Sequence, residues 1–193
     1  MDLLNDWSRK AGRYLTKMKG EERNGSPNPL TRANLVESLW AWLGAALGIG
    51  ACAFLSSRFF EPRAATLIIG SFGASAVLVY GTFSSPLSQP RNLVGGHLIS
   101  GLVGVACYQL VGIGWLAAAL AVSLALVAML LTKTVHPPGG ATALIAVIGG
   151  EQIHRLGFLY PFMPVLLGAL ILLLVALVVN NLPRDRQFPR YWW

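Results

Sequence analysis

Hydrophobic positions in this chain fall in long blocks. Apolar runs cover residues 35–55, 64–81, 93–111, 115–131, 141–149 and 161–179. Four approach the ~20 residues that carry a helix across ~30 Å of hydrocarbon, while 141–149 reaches only about half that distance. Ahead of them, Leu3, Leu4, Trp7, Ala11, Tyr14, Leu15 and Met18 recur at three- and four-residue intervals, with Arg9, Lys10, Arg13 and Lys17 off that stripe. The pattern predicts a basic amphipathic helix over residues 1–19. It lies either flat on an anionic cytoplasmic leaflet or against a neighbouring subunit. Residues 21–29 are polar and read as a linker.

A tetrapeptide links the two halves. Gly73-Ala74-Ser75-Ala76 returns 67 residues later as Gly140-Ala141-Thr142-Ala143, and each copy leads an apolar run that closes in glycine. This reads as an internal duplication, a pattern most familiar from transporters and channels. The expected fold is an all-α polytopic membrane protein of two units, each a long span, a short glycine-led helix and a long span. The divisions fall at 1–32 (basic helix and linker), 33–112 (first unit), 113–183 (second unit) and 184–193 (basic and aromatic tail). Residues 115–149 number 35, which is short for two crossings and a turn. Length therefore favours four full spans with two short re-entrant helices. The alternative is six crossings with inverted repeats, which would place Arg91 and Lys133 on the cytoplasmic side.

Composition sharpens this picture. Hydrophobic residues make up 54%, charged residues 12%, and mean hydropathy is +0.58, which excludes a soluble globular domain. The net charge of +7 gathers before the first span and, as Arg184, Arg186 and Arg190, after the last. Both ends are expected on the cytoplasmic side of a plasma membrane of the bacterial inner-membrane type, facing an anionic leaflet. Nothing resembles a nucleic-acid module with base-stacking aromatics, so no nucleic-acid partner is expected. Cys52 and Cys107 sit in apolar runs as packing residues. His97, His136 and His154 follow no ligand spacing, and neither a metal nor a cofactor is expected. A bundle this small is expected to form a homo-oligomer of cyclic symmetry.

The candidate chemistry lies at the breaks. His136-Pro137-Pro138-Gly139-Gly140 resists helix, so an extended stretch over 136–140 is expected, lining a cavity or an interface. A helix beginning there would present the N–H groups of Gly139, Gly140, Ala141 and Thr142 with about half a positive charge behind them, a setting that favours anions. The first copy offers Ser71 to Ser75 in the same way, with Gly73 allowing close backbone approach. The hydroxyls of Ser71, Ser75 and Thr142 add donors. The same small residues also suit plain helix packing. No acidic residue lies centrally in a span; the ionisable groups near the breaks are Arg91, His97, Lys133 and His136, an inventory that suits an anion rather than a cation. Lys133 either attracts the anion or snorkels to the interface, and Arg91 either supplies field or anchors its span. Because an imidazole ordinarily titrates near neutral pH, a proton relay through His97 or His136 is the expectation for these two residues.

Three ordered motifs carry a family resemblance: 70–78 (Gly-Ser-Phe-Gly-Ala-Ser-Ala-Val-Leu), 85–92 (Ser-Pro-Leu-Ser-Gln-Pro-Arg-Asn) with Gly95-Gly96-His97, and 134–144 around His136-Pro137-Pro138. Together they resemble the HPP family of integral membrane proteins over about residues 34–181. The resemblance implies four membrane spans, and members in plastids and cyanobacteria are linked to nitrite transport. Some members carry paired CBS domains after the membrane part, for which residues 182–193 are too few. It implies no set of binding residues. The expected function is a transporter or channel for a small monovalent anion, nitrite by resemblance. The alternative is a structural or regulatory membrane subunit whose glycines only pack helices. An enzyme is not expected, because the spans hold no paired carboxylates and no nucleophile motif.

Overall fold

Residues 35–59 and 70–193 are described by the computed structural model, and among them every regular element is helical. The predicted amphipathic helix over 1–19 and the linker after it lie outside the described residues. The helices are α1 (Leu35–Phe59), α2 (Gly70–Gly81), α3 (Pro90–Val111), α4 (Trp115–Leu131), α5 (Pro138–Ile148), α6 (Glu151–Leu156) and α7 (Pro161–Val179). Of these, α1, α3 and α7 are long and apolar enough to cross a bilayer, while α2, α4 and α5 are shorter apolar helices. The protein is an integral membrane protein.

Local sequence explains the junctions. Gly112 and Gly114 take φ of 87° and 149° in the turn from α3 to α4, a region open to glycine. In α4, Ala117, Ala121, Ala125 and Met129 recur every fourth residue and are buried, while Leu116, Leu124 and Leu131 face outward. The three alanines on this stripe let the backbone approach its neighbours, and the leucines leave an apolar outer face suited to a bilayer. Helix α4 closes on a Schellman turn: Thr134 N–H bonds to Met129 C=O (2.9 Å) and Lys133 N–H to Leu130 C=O (3.2 Å). Lys133 occupies the left-handed position at φ 57°.

The segment after that turn follows α3 along most of its length. Arg91 Nη2 donates to Thr132 C=O (2.7 Å) at one end, and the His154 ring stacks on Tyr108 (3.8 Å, 11°) at the other. Arg91 and Tyr108 are about 25 Å apart along a helix rising ~1.5 Å per residue. Between them Gly96 abuts His136, Gly139 abuts Ser100, and Gly104 abuts Ala143 and Ala146. A Cβ on Gly104 would lie 2.6 Å from the Ala143 carbonyl oxygen. In parallel fashion α2 runs beside α7: the Phe72 ring fills the space at Gly168, Tyr80 donates to Leu172 C=O (3.0 Å), and Asn180 Nδ2 donates to Val79 C=O (2.9 Å). Tyr80 also lies across Gly44 and Gly48 of α1. Arg186 sits near the end of this pair, its guanidinium 4.8 Å from the Phe83 ring centre and donating to Glu37 C=O.

One expectation is corrected. The extended stretch does not cover 136–140; the irregular backbone ends at His136, Pro137 already has helical angles (φ −51°, ψ −38°), and α5 begins at Pro138. The first turn of a helix has N–H groups without intrahelical partners, so prolines cost little there. The glycines cost about 1 kcal/mol each in propensity, and Gly139 recovers this by close contact with α3.

Candidate functional site

Four side chains from four parts of the chain meet in the interior: Ser75 of α2, His97 of α3, His136 before α5 and Thr142 of α5, each 0% exposed. Thr142 Oγ1 lies 2.7 Å from His97 Nδ1, Ser75 Oγ lies 2.7 Å from His97 Nε2 and 2.8 Å from His136 Nε2, and His136 Nδ1 lies 2.8 Å from the Leu87 carbonyl oxygen. With both rings neutral, these contacts fix every proton. A carbonyl only accepts, so His136 carries its proton on Nδ1 and accepts at Nε2 from the Ser75 hydroxyl. Ser75 Oγ then accepts from His97 Nε2–H, and His97 Nδ1 accepts from the Thr142 hydroxyl. The chain of donors runs one way, from Thr142 through His97, Ser75 and His136 to Leu87.

Neighbouring groups hold this chain in place. The His97 and His136 rings are 5.0 Å apart at 61°, and the Phe72 ring meets His97 edge-on at 5.4 Å. Tyr160 donates its phenol to Thr142 C=O (3.0 Å), and Asn92 Nδ2 donates to Val135 C=O (2.8 Å). The loop that presents Leu87 is tied by its own side chains: Ser85 Oγ accepts from Leu87 N–H, Ser88 donates to Leu78 C=O, and Gln89 Nε2 donates to the Phe83 and Ser85 carbonyls. Leu87, Asn92 and Tyr160 are participants that sequence reasoning missed. A backbone carbonyl leaves no residue-type signal, whereas the dense polar run 85–92 was a signal for an ordered loop.

The remaining candidates divide. Ser71 is buried one turn before Ser75 and its carbonyl lies 3.2 Å from Ser75 Oγ. Gly139 packs against Ser100, Gly96 and Met129, whereas a Cβ at Gly73 would meet nothing within 4 Å and one at Gly140 only Val122 at 3.8 Å. The N–H groups of Gly139 and Gly140 bond to His136 C=O (2.8 Å) and Pro137 C=O (3.0 Å), so in this conformation both are committed to the turn. Lys133 is exposed.

Arg91 opens onto a cavity of about 440 Å³, lined also by Gly95, Thr132, Thr134, Trp192 and Trp193. Its lining residues Gly95 and Thr134 stand next to the buried cluster, since Gly96 packs on His136. The opening is largely apolar apart from the Arg91 guanidinium and the threonines, and the imidazole pair lies outside its lining, fully buried.

The family model described as HPP, transmembrane region, matches residues 30–189. Two curated relatives from Dictyostelium discoideum, each named a transmembrane protein, are 49% and 46% identical over 184 residues. The matches cover 93% of this chain in both cases, but 57% and 63% of the relatives, so the chain spans about three-fifths of their length. No solved structure matches it.

Proposed function

The chain belongs to the HPP transmembrane family, and from that premise we propose that it carries a small monovalent anion, nitrite by the family resemblance, across the membrane as a transporter or channel. One observation carries this reading: the closed imidazole and hydroxyl cluster adjoins neighbours of the Arg91 cavity, since the lining Thr134 precedes His136 by two residues and Gly96, next to the lining Gly95, packs on His136. Ionisable groups inside membrane helices are costly to keep and mark pathways more often than packing. An anion arriving at the cavity exchanges part of its water for the Arg91 guanidinium, while the Thr132 hydroxyl stays turned to Ala128 C=O (2.7 Å) and bonded to Thr134 Oγ1 (2.8 Å).

Six crossings with inverted units suit the contacts better than re-entrant helices. Residues 132–154 accompany α3 from Arg91 to Tyr108, and Lys133 follows the Thr132 carbonyl held by Arg91. Arg190 N–H bonds to Gln89 Oε1, beside the start of α3. Arg91, Lys133 and the basic tail then share one face, which the positive-inside rule makes cytoplasmic. Homo-oligomerisation belongs to the same proposal, because one small bundle has little material to enclose a pathway.

The competing reading, a non-transporting subunit, draws on the tight glycine contacts at Gly96, Gly104 and Gly139. Flux separates the two. In proteoliposomes holding the purified full chain, nitrite, nitrate, formate or chloride should pass, and Arg91→Gln should raise the half-saturating concentration by about tenfold, the worth of one partly exposed charge contact. Folded protein passing none of the four ions would remove the transport reading.

A further inference from the structure

The two motif hydroxyls each have a second partner. Ser75 Oγ lies 3.2 Å from the carbonyl of Ser71, and Thr142 Oγ1 lies 3.3 Å from the carbonyl of Pro138, in both cases four residues back along the same helix. In the neutral cluster neither carbonyl is needed, because the Ser75 proton points to His136 and the Thr142 proton to His97. We propose that Ser75 and Thr142 are hydroxyl switches that let the His97 and His136 pair take up one proton without leaving any buried polar group unpaired.

The geometry allows this step by step. A proton from water reaches His136 Nε2, which becomes a donor to Ser75 Oγ. Ser75 turns its own proton from His136 to Ser71 C=O and accepts from both rings, as a hydroxyl with two lone pairs can. Alternatively the proton sits on His97 Nδ1, which donates to Thr142 Oγ1, and Thr142 turns its proton to Pro138 C=O. No heavy atom need move, and every donor keeps an acceptor. A fixed donor in place of either hydroxyl would oppose the charged ring, and burying an unpaired polar group is costly. The second proton is resisted by the first, since the ring centres are 5.0 Å apart. At an effective dielectric constant of about 20 this repulsion weakens second-proton binding by roughly a hundredfold.

The surroundings supply no fixed countercharge among the groups seen to pack on the cluster. From α2 come Ser71 and Phe72, from the loop the Leu87 carbonyl, and from the approach to α7 the Tyr160 phenol, which is turned to Thr142 C=O. On α3 the cation Arg91 is turned to Thr132 C=O. A charged cluster would therefore draw a small anion inward from the Arg91 cavity, pairing one proton with one monovalent anion; this consequence rests on the transport reading, while the proton uptake itself does not.

The test is imidazole ¹⁵N NMR on the full chain in lipid bilayers, with no transported ion present and with His154→Gln used to assign the third histidine. At neutral pH, His97 should carry its proton on Nε2 and His136 on Nδ1. On acidification one imidazolium per chain should form, and the second should need roughly a hundredfold more acid. Ser75→Ala should shift the first step by at least about tenfold in proton concentration, whereas Ser75→Thr should restore it. If Ser75→Ala does not fold, Thr142→Val reports the same loss from the other side of His97. Reversed tautomers, two imidazoliums forming in one step, or alanine and valine variants titrating like the parent would overturn the proposal. Protein that passes no ion yet shows the single step would leave this inference standing and remove transport alone.

Discussion

Ser75 and Thr142, the third residues of the two related tetrapeptides, hold opposite nitrogens of one imidazole, that of His97, each at 2.7 Å. The sequence similarity between the two copies is thus matched by a shared partner in the interior. The direction of these bonds is set from the far end: the Leu87 carbonyl fixes the tautomer of His136, His136 turns the Ser75 hydroxyl toward itself, and Ser75 then takes the proton of His97 Nε2.

Thr142→Val keeps shape and removes only the hydroxyl, which leaves His97 Nδ1 buried without a donor. The variant should lose about 1–2 kcal/mol of stability, measured by reversible unfolding in mixed micelles, while Thr142→Ser should lose much less. Equal stability for valine and serine would show that the contact contributes nothing.

Glycines in the bundle should separate by what surrounds them. Gly104→Ala drives a methyl toward the Ala143 backbone and should cost about 1–3 kcal/mol, since backbone cannot step aside as a flexible side chain does. Gly140→Ala, with its nearest neighbour Val122 at 3.8 Å, should be neutral or slightly stabilising through helix propensity. The same unfolding assay compares them, and a reversed order contradicts the packing described here.

Lys133 stands where a Schellman turn ordinarily places glycine. Lys133→Gly relieves the left-handed strain and should raise stability by about 1 kcal/mol. If its ammonium contributes field to the anion, the same variant should also slow uptake. A stabilised variant with unchanged uptake assigns Lys133 to the membrane interface alone.

Topology is open to direct labelling. Lys133→Cys and Arg184→Cys should react with a membrane-impermeant thiol reagent from one side, and Ile113→Cys from the other, with Cys52 and Cys107 both buried. Re-entrant short helices require the opposite grouping, with Ile113 beside Arg184 and Lys133 alone.

Much of this arrangement was legible in the sequence. Block hydropathy predicts a helical membrane protein, the paired tetrapeptides single out Ser75 and Thr142, and the inventory of ionisable groups near the breaks adds His97 and His136. A helical rise throughout residues 115–149 favours re-entrant helices, the reading against which the six-crossing proposal stands. Irregular chain between Lys133 and His136 advances up to about 3.3 Å per residue against 1.5 Å in a helix, so the same residues reach further. The Gly139 and Gly140 N–H groups, expected from the sequence to face an anion, bond in this conformation to the His136 and Pro137 carbonyls respectively. Nor could residue types reveal that Leu87 would offer its carbonyl to His136, or that Tyr160 would arrive at Thr142 from 18 residues away. Those contacts depend on how separate helices stack.

The most direct measurement is nitrite uptake into sealed proteoliposomes under an imposed proton gradient. Uptake by the parent chain should rise as the outer solution is acidified, with His97→Gln retaining fold but losing that dependence. Uptake that ignores the gradient in both proteins, or that is identical in protein-free vesicles, would contradict an anion path served by the buried histidines.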